Sequence, residues 1–248
     1  PQHPDTLTLT GKDHEKHYWK RFDTRLNLGL LNLAQHDLVE CMELFGPRPI
    51  ILKRLALICM AKNDIGSAKI YLGVLARTLF DADWAEEYLA RLEADPELAT
   101  DERIQHLRRM RFKEDHGVWF SARDKLLSEL LAENKSNHMA FEYLNAWYLQ
   151  SRQLPKFIQN VKLLNEFTYK EIPTLYEEAI LIHTSATRQP IDLGGRRGSQ
   201  RSAERMQRFG QIVNRYGGDK KAAARELAEG FAGSYYFYYL YGFSGVRR

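Results

Sequence analysis

Apolar residues recur along this chain with the three- and four-residue spacing of helices that bury one face. Because a small or apolar residue late in one helix can meet one early in the next, the pattern predicts helix pairs like those of tetratricopeptide repeats, which are about 34 residues long. We therefore expect an all-α fold, with antiparallel pairs stacked as a tetratricopeptide-like right-handed superhelix and an irregular C-terminal aromatic segment. The two clearest pairs carry their apolar residues at Leu52, Leu55, Ala56, Cys59, Ala68, Leu72 and Leu75, and at Phe141, Leu144, Tyr148, Phe157, Val161 and Leu164.

Polar residues indicate where individual helices begin and end. Asp64 and Asp219 each precede an apolar helical pattern, and a side-chain oxygen at that position accepts a hydrogen bond from the first turn. Between Lys12 and Phe45 the pattern predicts two helices, with Asp37 capping the second. A later helix is expected from Pro173 to about His183.

Composition shifts divide the chain into four segments. We expect a flexible tail over 1–11, a helical repeat domain over 12–183, a flexible Gly/Arg-rich loop over 184–202, and C-terminal helices with an aromatic tail over 203–248. The aromatic tail, Tyr235–Phe243, could present its rings to a glycan or peptide. We expect instead that it packs on the repeat domain, because so many exposed rings would form an adhesive patch.

Length and composition support a folded chain with a substantial core. The 248 residues are 44% hydrophobic, and 36 basic against 32 acidic residues give a net charge of +4, which is too small to indicate nucleic acid. We expect Cys41 and Cys59 to be buried thiols rather than a disulfide, because both lie in apolar helical patterns. No run of about 18 apolar residues is present to span a bilayer. The start at Pro1, without Met, suggests an excised domain or a processed product.

Several segments resemble a family of bacterial (Bacteroidetes-type) membrane-anchored proteins of unknown function. In that family a multi-spanning N-terminal region precedes a tetratricopeptide-like helical domain. The resemblance implies that the natural protein is anchored in a membrane through a segment missing from this chain, with its soluble domain outside the cytoplasm. The strings that carry it are NLGLLNLAQHDLVECMELF, LKRLALICMAKNDIGSAKIYLGVLARTLFDADWA, NHMAFEYLNAWYLQSRQLPKFI, YKEIPTLYEEAIL and SYYFYYLYG.

No residue set predicts catalysis, a cofactor or a metal site. His14 and His17 are one residue short of the zinc-helix spacing, and no third ligand is evident nearby. Glu177 and Glu178 are adjacent, so they should splay apart on a helix and belong to a surface face. Ser199 has neither the nucleophile-elbow nor the phosphate-loop context. We therefore do not expect an enzyme.

Two arginine-rich clusters could contact phosphates or anionic lipids, although interleaved acidic residues favour ordinary solvated faces. We expect a non-catalytic scaffold that binds an unknown protein or peptide, and no nucleic acid. The alternative is an enzyme or enzyme accessory acting on a glycan or lipid at the membrane surface. The candidate partner-binding residues are Glu142, Asn145, Tyr148, Arg108 and Arg109. The clusters comprise Arg103, Arg108, Arg109, Arg111 and Lys113, and Arg188, Arg196, Arg197, Arg201, Arg205 and Arg208.

Overall fold

The computed structural model describes residues 20–113, residue 115 and residues 123–242. Within that part of the chain every regular element is helical, so the expected all-α class is confirmed. None of the described helices has the length and apolar content needed to cross a bilayer. The predicted tail over 1–11, the histidines His14 and His17, and Phe243 lie outside the described residues.

The chain forms two compact units that divide after Met139, whereas the sequence analysis places one repeat domain over 12–183. The helices of the first unit are α1 (described over 20–27), α2 (Leu31–Phe45), α3 (Pro49–Ala61), α4 (Ile65–Leu75), α5 (Ala82–Ala94), α6 (Glu102–Met110) and α7 (Arg123–Glu133).

Helix α3 lies at the centre of the first unit's core. Leu52 and Ala56 pack in a cluster with residues of α4 and α5, while Leu55 and Ile58 pack in a second cluster with residues of α1 and α2. A helix that is apolar on most sides is buried between its neighbours, as α3 is. Ala68 on α4 shares the cluster of Ala56, so the predicted pairing of these two helices is confirmed.

Helix α2 begins at Leu31, earlier than the sequence analysis expects. The predicted cap at Asp37 is wrong, because α2 runs through this residue without interruption and the side chain is buried. The chain turns earlier, at Gly29, whose φ of 85° suits a residue without a Cβ atom. The N–H group of Asn32 donates to the carboxylate of Asp115 at 2.6 Å. The start of α2 is therefore capped by a residue far away in sequence.

The second unit contains nearly all of α8 (His138–Gln150), and then α9 (Leu154–Val161), a 3₁₀ helix (Lys162–Glu166), α10 (Thr174–Thr187), α11 (Gln200–Arg215), α12 (Lys220–Phe231) and α13 (Tyr235–Tyr241). Helices α8 and α9 make contact, as predicted: Lys156 Nζ lies 5.8 Å from the ring centroid of Tyr148. Asp219 caps α12 by accepting hydrogen bonds from its first turn, and Asp64 caps α4 in the same way, so both predicted caps are confirmed.

The aromatic terminus is a helix, which corrects the expected irregular segment. Ser234 begins α13 by accepting a hydrogen bond from the N–H group of Phe237 at 3.2 Å, so a local cap is enough to start the helix. The rings of Tyr235, Tyr236 and Phe237 are buried, and the hydroxyl of Tyr236 donates to the carbonyl of Ser202. These three rings therefore belong to the core of the second unit.

The connection between α10 and α11 is shorter than the predicted loop over 184–202. Helix α10 continues past His183, and the hydroxyl of Thr184 donates to the Ile180 carbonyl within it. Helix α11 starts at Gln200 because Ser199 accepts a hydrogen bond from the N–H group of Ser202. The non-helical connection is therefore 188–199.

Cys41 and Cys59 are buried thiols that form no disulfide with each other, as expected. They belong to different core clusters, one on each side of α3. Burial raises the pKa of Cys59 to about 11. This thiol is therefore almost entirely protonated at neutral pH.

Candidate functional site

Three exposed cations follow one another at every second position where α6 ends. Helix α6 ends at Met110, so Arg109 lies in its last turn, and the backbone is no longer helical at Arg111, with φ −58° and ψ 123°. Arg109, Arg111 and Lys113 are exposed, whereas Phe112 between them is buried. We call Arg109, Arg111 and Lys113 the cationic segment.

Backbone contacts hold the cationic segment in place. The N–H group of Phe112 donates to the carbonyl of Gly29 at 2.9 Å. Gly29 approaches so closely that an added Cβ would lie 1.8 Å from the carbonyl oxygen of Met110. The Asn134 side-chain amide reaches the Arg109 carbonyl at 3.4 Å. The backbone is thus held by neighbouring elements while the charged side chains stay outside.

The three charged side chains of the cationic segment have no internal partner within the described residues. Within the described residues, the side chains of Arg109, Arg111 and Lys113 form no hydrogen bond or ion pair. They line an open cavity of about 550 Å³, together with residues of α7. Among the described residues that line this cavity, Glu133 alone is acidic. The arrangement can therefore attract an anionic group without first breaking an internal ion pair.

A second cavity, lined in part by residues of α6, is less suited to anions. It has a volume of about 330 Å³ and is also lined by basic residues. Two of these already have acidic partners: Lys53 Nζ lies 2.9 Å from Asp81, and the Arg54 guanidinium lies 3.7 Å from Asp23. The cationic segment is therefore the stronger candidate for an anion-binding surface.

Both predicted arginines line this cavity, but only Arg109 belongs to the cationic segment. Arg108 donates to the carbonyl of Glu97 at 2.5 Å and to the carbonyl of Met60 at 3.0 Å. Met60 lies in the last turn of α3, whose carbonyl groups carry the negative end of the helix dipole. Arg108 thus joins α6 to α3, whereas Arg109 is exposed.

The candidates on α8 do not form the exposed face that the sequence analysis expects. Asn145 is fully buried and accepts a hydrogen bond from the side chain of Asn160 at 2.9 Å. Tyr148 is also buried, which leaves Glu142 as the exposed member of the three. Glu142 accepts a hydrogen bond from the Tyr169 hydroxyl at 2.6 Å. These residues lie in the second unit, apart from Arg108 and Arg109 in the first.

Glu177 and Glu178 are buried, so their expected place on a surface face is wrong. Glu177 accepts hydrogen bonds from both the N–H group and the hydroxyl of Ser199, each at 2.7 Å. Glu178 accepts one from the N–H group of Tyr235 at 2.6 Å, and burial raises the pKa of its carboxyl group. The two carboxylates thus bind the starts of α11 and α13, where the helix dipole is positive.

One group of described residues has the spacing of metal ligands: His36, Asp37 and Glu40. Arg21 donates to both carboxylates, and Arg25 donates to Asp37 at 2.5 Å. Two guanidinium groups already neutralise the carboxylates, which disfavours a metal cation at the same place. Asp37 and Glu40 on α2 are better described as ion-pair partners of the α1 arginines.

The sequence contained a signal for Arg111 and Lys113, although they were not among the candidate binding residues. Both belong to the arginine-rich cluster that also contains Arg108 and Arg109, the two residues of that cluster that the sequence analysis selects. The contribution of Gly29 had no comparable signal, because Gly29 and Met110 are far apart along the chain.

The chain belongs to the family described as a family of unknown function, DUF6057, whose model matches residues 1–242. The search of curated proteins and the search of solved structures each returned no match.

Proposed function

We propose that this DUF6057 protein is a non-catalytic helical binding module, and that its cationic segment receives an acidic stretch of a protein partner. The observation that carries the proposal is a group of three exposed cations at the end of α6, on backbone that neighbouring elements hold in place. Within the described residues, none of the three side chains forms a hydrogen bond or ion pair. A held stretch loses little conformational entropy on binding, which favours affinity.

The close grouping of the cations supports a peptide with several carboxylates as the ligand. Alternate residues of an extended chain are about 6.5 to 7 Å apart. An extended partner with an acidic residue at every second position would present carboxylates at that spacing to the group formed by Arg109, Arg111 and Lys113. Arginine suits this task because its guanidinium group can donate two parallel hydrogen bonds to one carboxylate.

We further propose that the helices of the first unit stack in the tetratricopeptide-like manner, which would make the unit a binding scaffold. The pairing of α3 with α4, and the packing of α5 in the same cluster, support this proposal. Repeat scaffolds of this kind use their surfaces for binding, so a binding role for the first unit is inferred by analogy of fold.

The test is binding of a fluorescent peptide of alternating glutamate and serine, followed by anisotropy. We expect binding that weakens as salt is added, because exposed charges are screened. The double substitution Arg109→Glu with Arg111→Glu should raise Kd by about tenfold or more, since it replaces attraction with repulsion. The matched control is Arg197→Glu with Arg201→Glu, which changes the net charge equally at exposed positions of the second unit.

Two results would contradict the proposal. The first is an equal loss of binding in the control variant, which would mean that the peptide senses only net charge. The second is a wild-type protein that does not bind the peptide at low salt, which would remove the cationic segment as a peptide site.

A further inference from the structure

The turn between α4 and α5 exposes two adjacent apolar side chains. Leu79 and Phe80 are each 94% exposed. The turn is nevertheless hydrogen-bonded: the N–H group of Thr78 donates to the Leu75 carbonyl at 2.9 Å. On the other side of the tip, Asp81 pairs with Lys53 at 2.9 Å. Because the turn is fixed, both apolar side chains stay in water, which is unfavourable in free energy unless they contact an apolar surface.

The outward face of α4 leads into this turn and is also apolar. Ile70 is 67% exposed and Val74 46% exposed, and their four-residue spacing places them on one face. Gly73 lies beside them, and an added Cβ there would meet nothing within 4 Å. The opposite face of α4 is buried in the core of the first unit. Helix α4 therefore has a second apolar face without a described partner.

The charged residues of α4 and of the turn as far as Phe80 are of one sign. Beyond Phe80, Asp81 is paired with Lys53, and Asp83 is exposed at the start of α5. Between residues 65 and 80 the charged residues are Lys69 and Arg77, and no acidic residue occurs. Both cations are exposed, and neither side chain forms a hydrogen bond or ion pair within the described residues. Apolar side chains bordered by cations are the pattern with which proteins enter the headgroup region of anionic membranes.

We propose that α4 and the turn after it dock on a membrane surface that contains anionic lipids. Leu79 and Phe80 enter the headgroup region, and Lys69 and Arg77 contact the lipid phosphates. A bilayer fits these observations better than a protein partner, because a protruding apolar tip needs no complementary pocket there. The docking surface shares no residue with the cationic segment, so this proposal does not rest on the proposed function.

Co-sedimentation with vesicles tests the proposal. The full chain is mixed with vesicles of phosphatidylcholine and phosphatidylglycerol, and the bound fraction is measured. The double substitution Leu79→Ser with Phe80→Ser should weaken vesicle binding by about tenfold or more, since both apolar side chains are lost from the interface. Leu44→Ser is the matched control, because Leu44 is 62% exposed on α2 and outside the docking surface. It should bind vesicles like the wild type.

A fluorescent probe then locates the contact. Phe80→Cys can be labelled selectively with a polarity-sensitive dye, because both natural cysteines are buried. Anionic vesicles should shift the emission to shorter wavelength, and the shift should persist when Arg109→Glu and Arg111→Glu are added. Three results would overturn the proposal: no sedimentation of the wild type, equal sedimentation of the Leu79→Ser/Phe80→Ser variant, or sedimentation without an emission shift.

Discussion

The carbonyl oxygen of Met110 lies 1.8 Å from the position that a Cβ atom on Gly29 would take. No side chain can share that space, so the turn before α2 and the end of α6 can approach this closely only through a glycine. The contact also sets the backbone from which Arg111 and Lys113 project. One glycine thus connects the packing of the first unit with its candidate binding surface.

Gly29→Ala should therefore lower the free energy of unfolding by about 3 kcal/mol or more, because it adds a backbone clash to the strain of a positive φ. Gly46→Ala is the control: its φ of 81° is nearly the same, but an added Cβ meets nothing within 4 Å. Urea denaturation followed by circular dichroism measures both. Equal losses in the two variants would mean that backbone strain, rather than contact with Met110, accounts for the effect.

The aromatic terminus should be a main source of stability in the second unit. Phe237 is fully buried beside Phe209, Leu227 and Phe231, so Phe237→Ala should cost about 3 to 5 kcal/mol. Leu240→Ala, on the same helix at a half-exposed position, should cost less than about 1 kcal/mol. The comparison is made by thermal and urea denaturation. A Phe237→Ala variant as stable as the Leu240→Ala variant would contradict the burial of this helix.

The sequence predicts an interaction well when its two partners are close along the chain. Asp64 caps a helix through Ser67, three residues away, and such a cap can be read from spacing alone. Glu178 instead binds the N–H group of Tyr235, 57 residues later, so its burial could not be read from its neighbours.

The burial of Asn145 also depends on a partner from another helix. The sequence analysis expects this polar residue to be exposed, but Asn160 on the following helix donates to its side-chain oxygen at 2.9 Å and allows it to be buried. Helix existence and several caps were thus predictable, whereas the burial of polar side chains depended on partners that only the fold brings close.

The two cysteines should resist modification in the folded protein. Cys41 is 1% exposed and Cys59 is 0% exposed, and burial raises the pKa of Cys59 to about 11, so little reactive thiolate is present. Titration with a thiol reagent should show slow labelling in the native state and both thiols after unfolding. Rapid native labelling would contradict the burial, and loss of the thiol signal after unfolding would indicate a disulfide.

Glu178 should make the second unit less stable as pH rises through the carboxyl range. Its side chain is 1% exposed, and burial raises its pKa above the ordinary glutamate value. The folded state therefore keeps its proton to a higher pH than the unfolded state does. Because the folded state binds more protons in this range, the contribution of this residue to stability falls as pH rises above about 4.

Glu178→Gln tests this, because glutamine keeps an oxygen that can accept the hydrogen bond from Tyr235 but does not ionise. Relative to the wild type, the variant's Tm should rise as pH increases through the carboxyl range, because only the wild type loses stability there. Glu229→Gln removes one negative charge at an exposed position of α12 and should show no such trend. A difference in Tm that stays constant with pH would contradict the raised pKa. A variant that loses stability as pH rises would show instead that the ionised carboxylate, paired with Arg205 at 3.8 Å, is the favoured form in the fold.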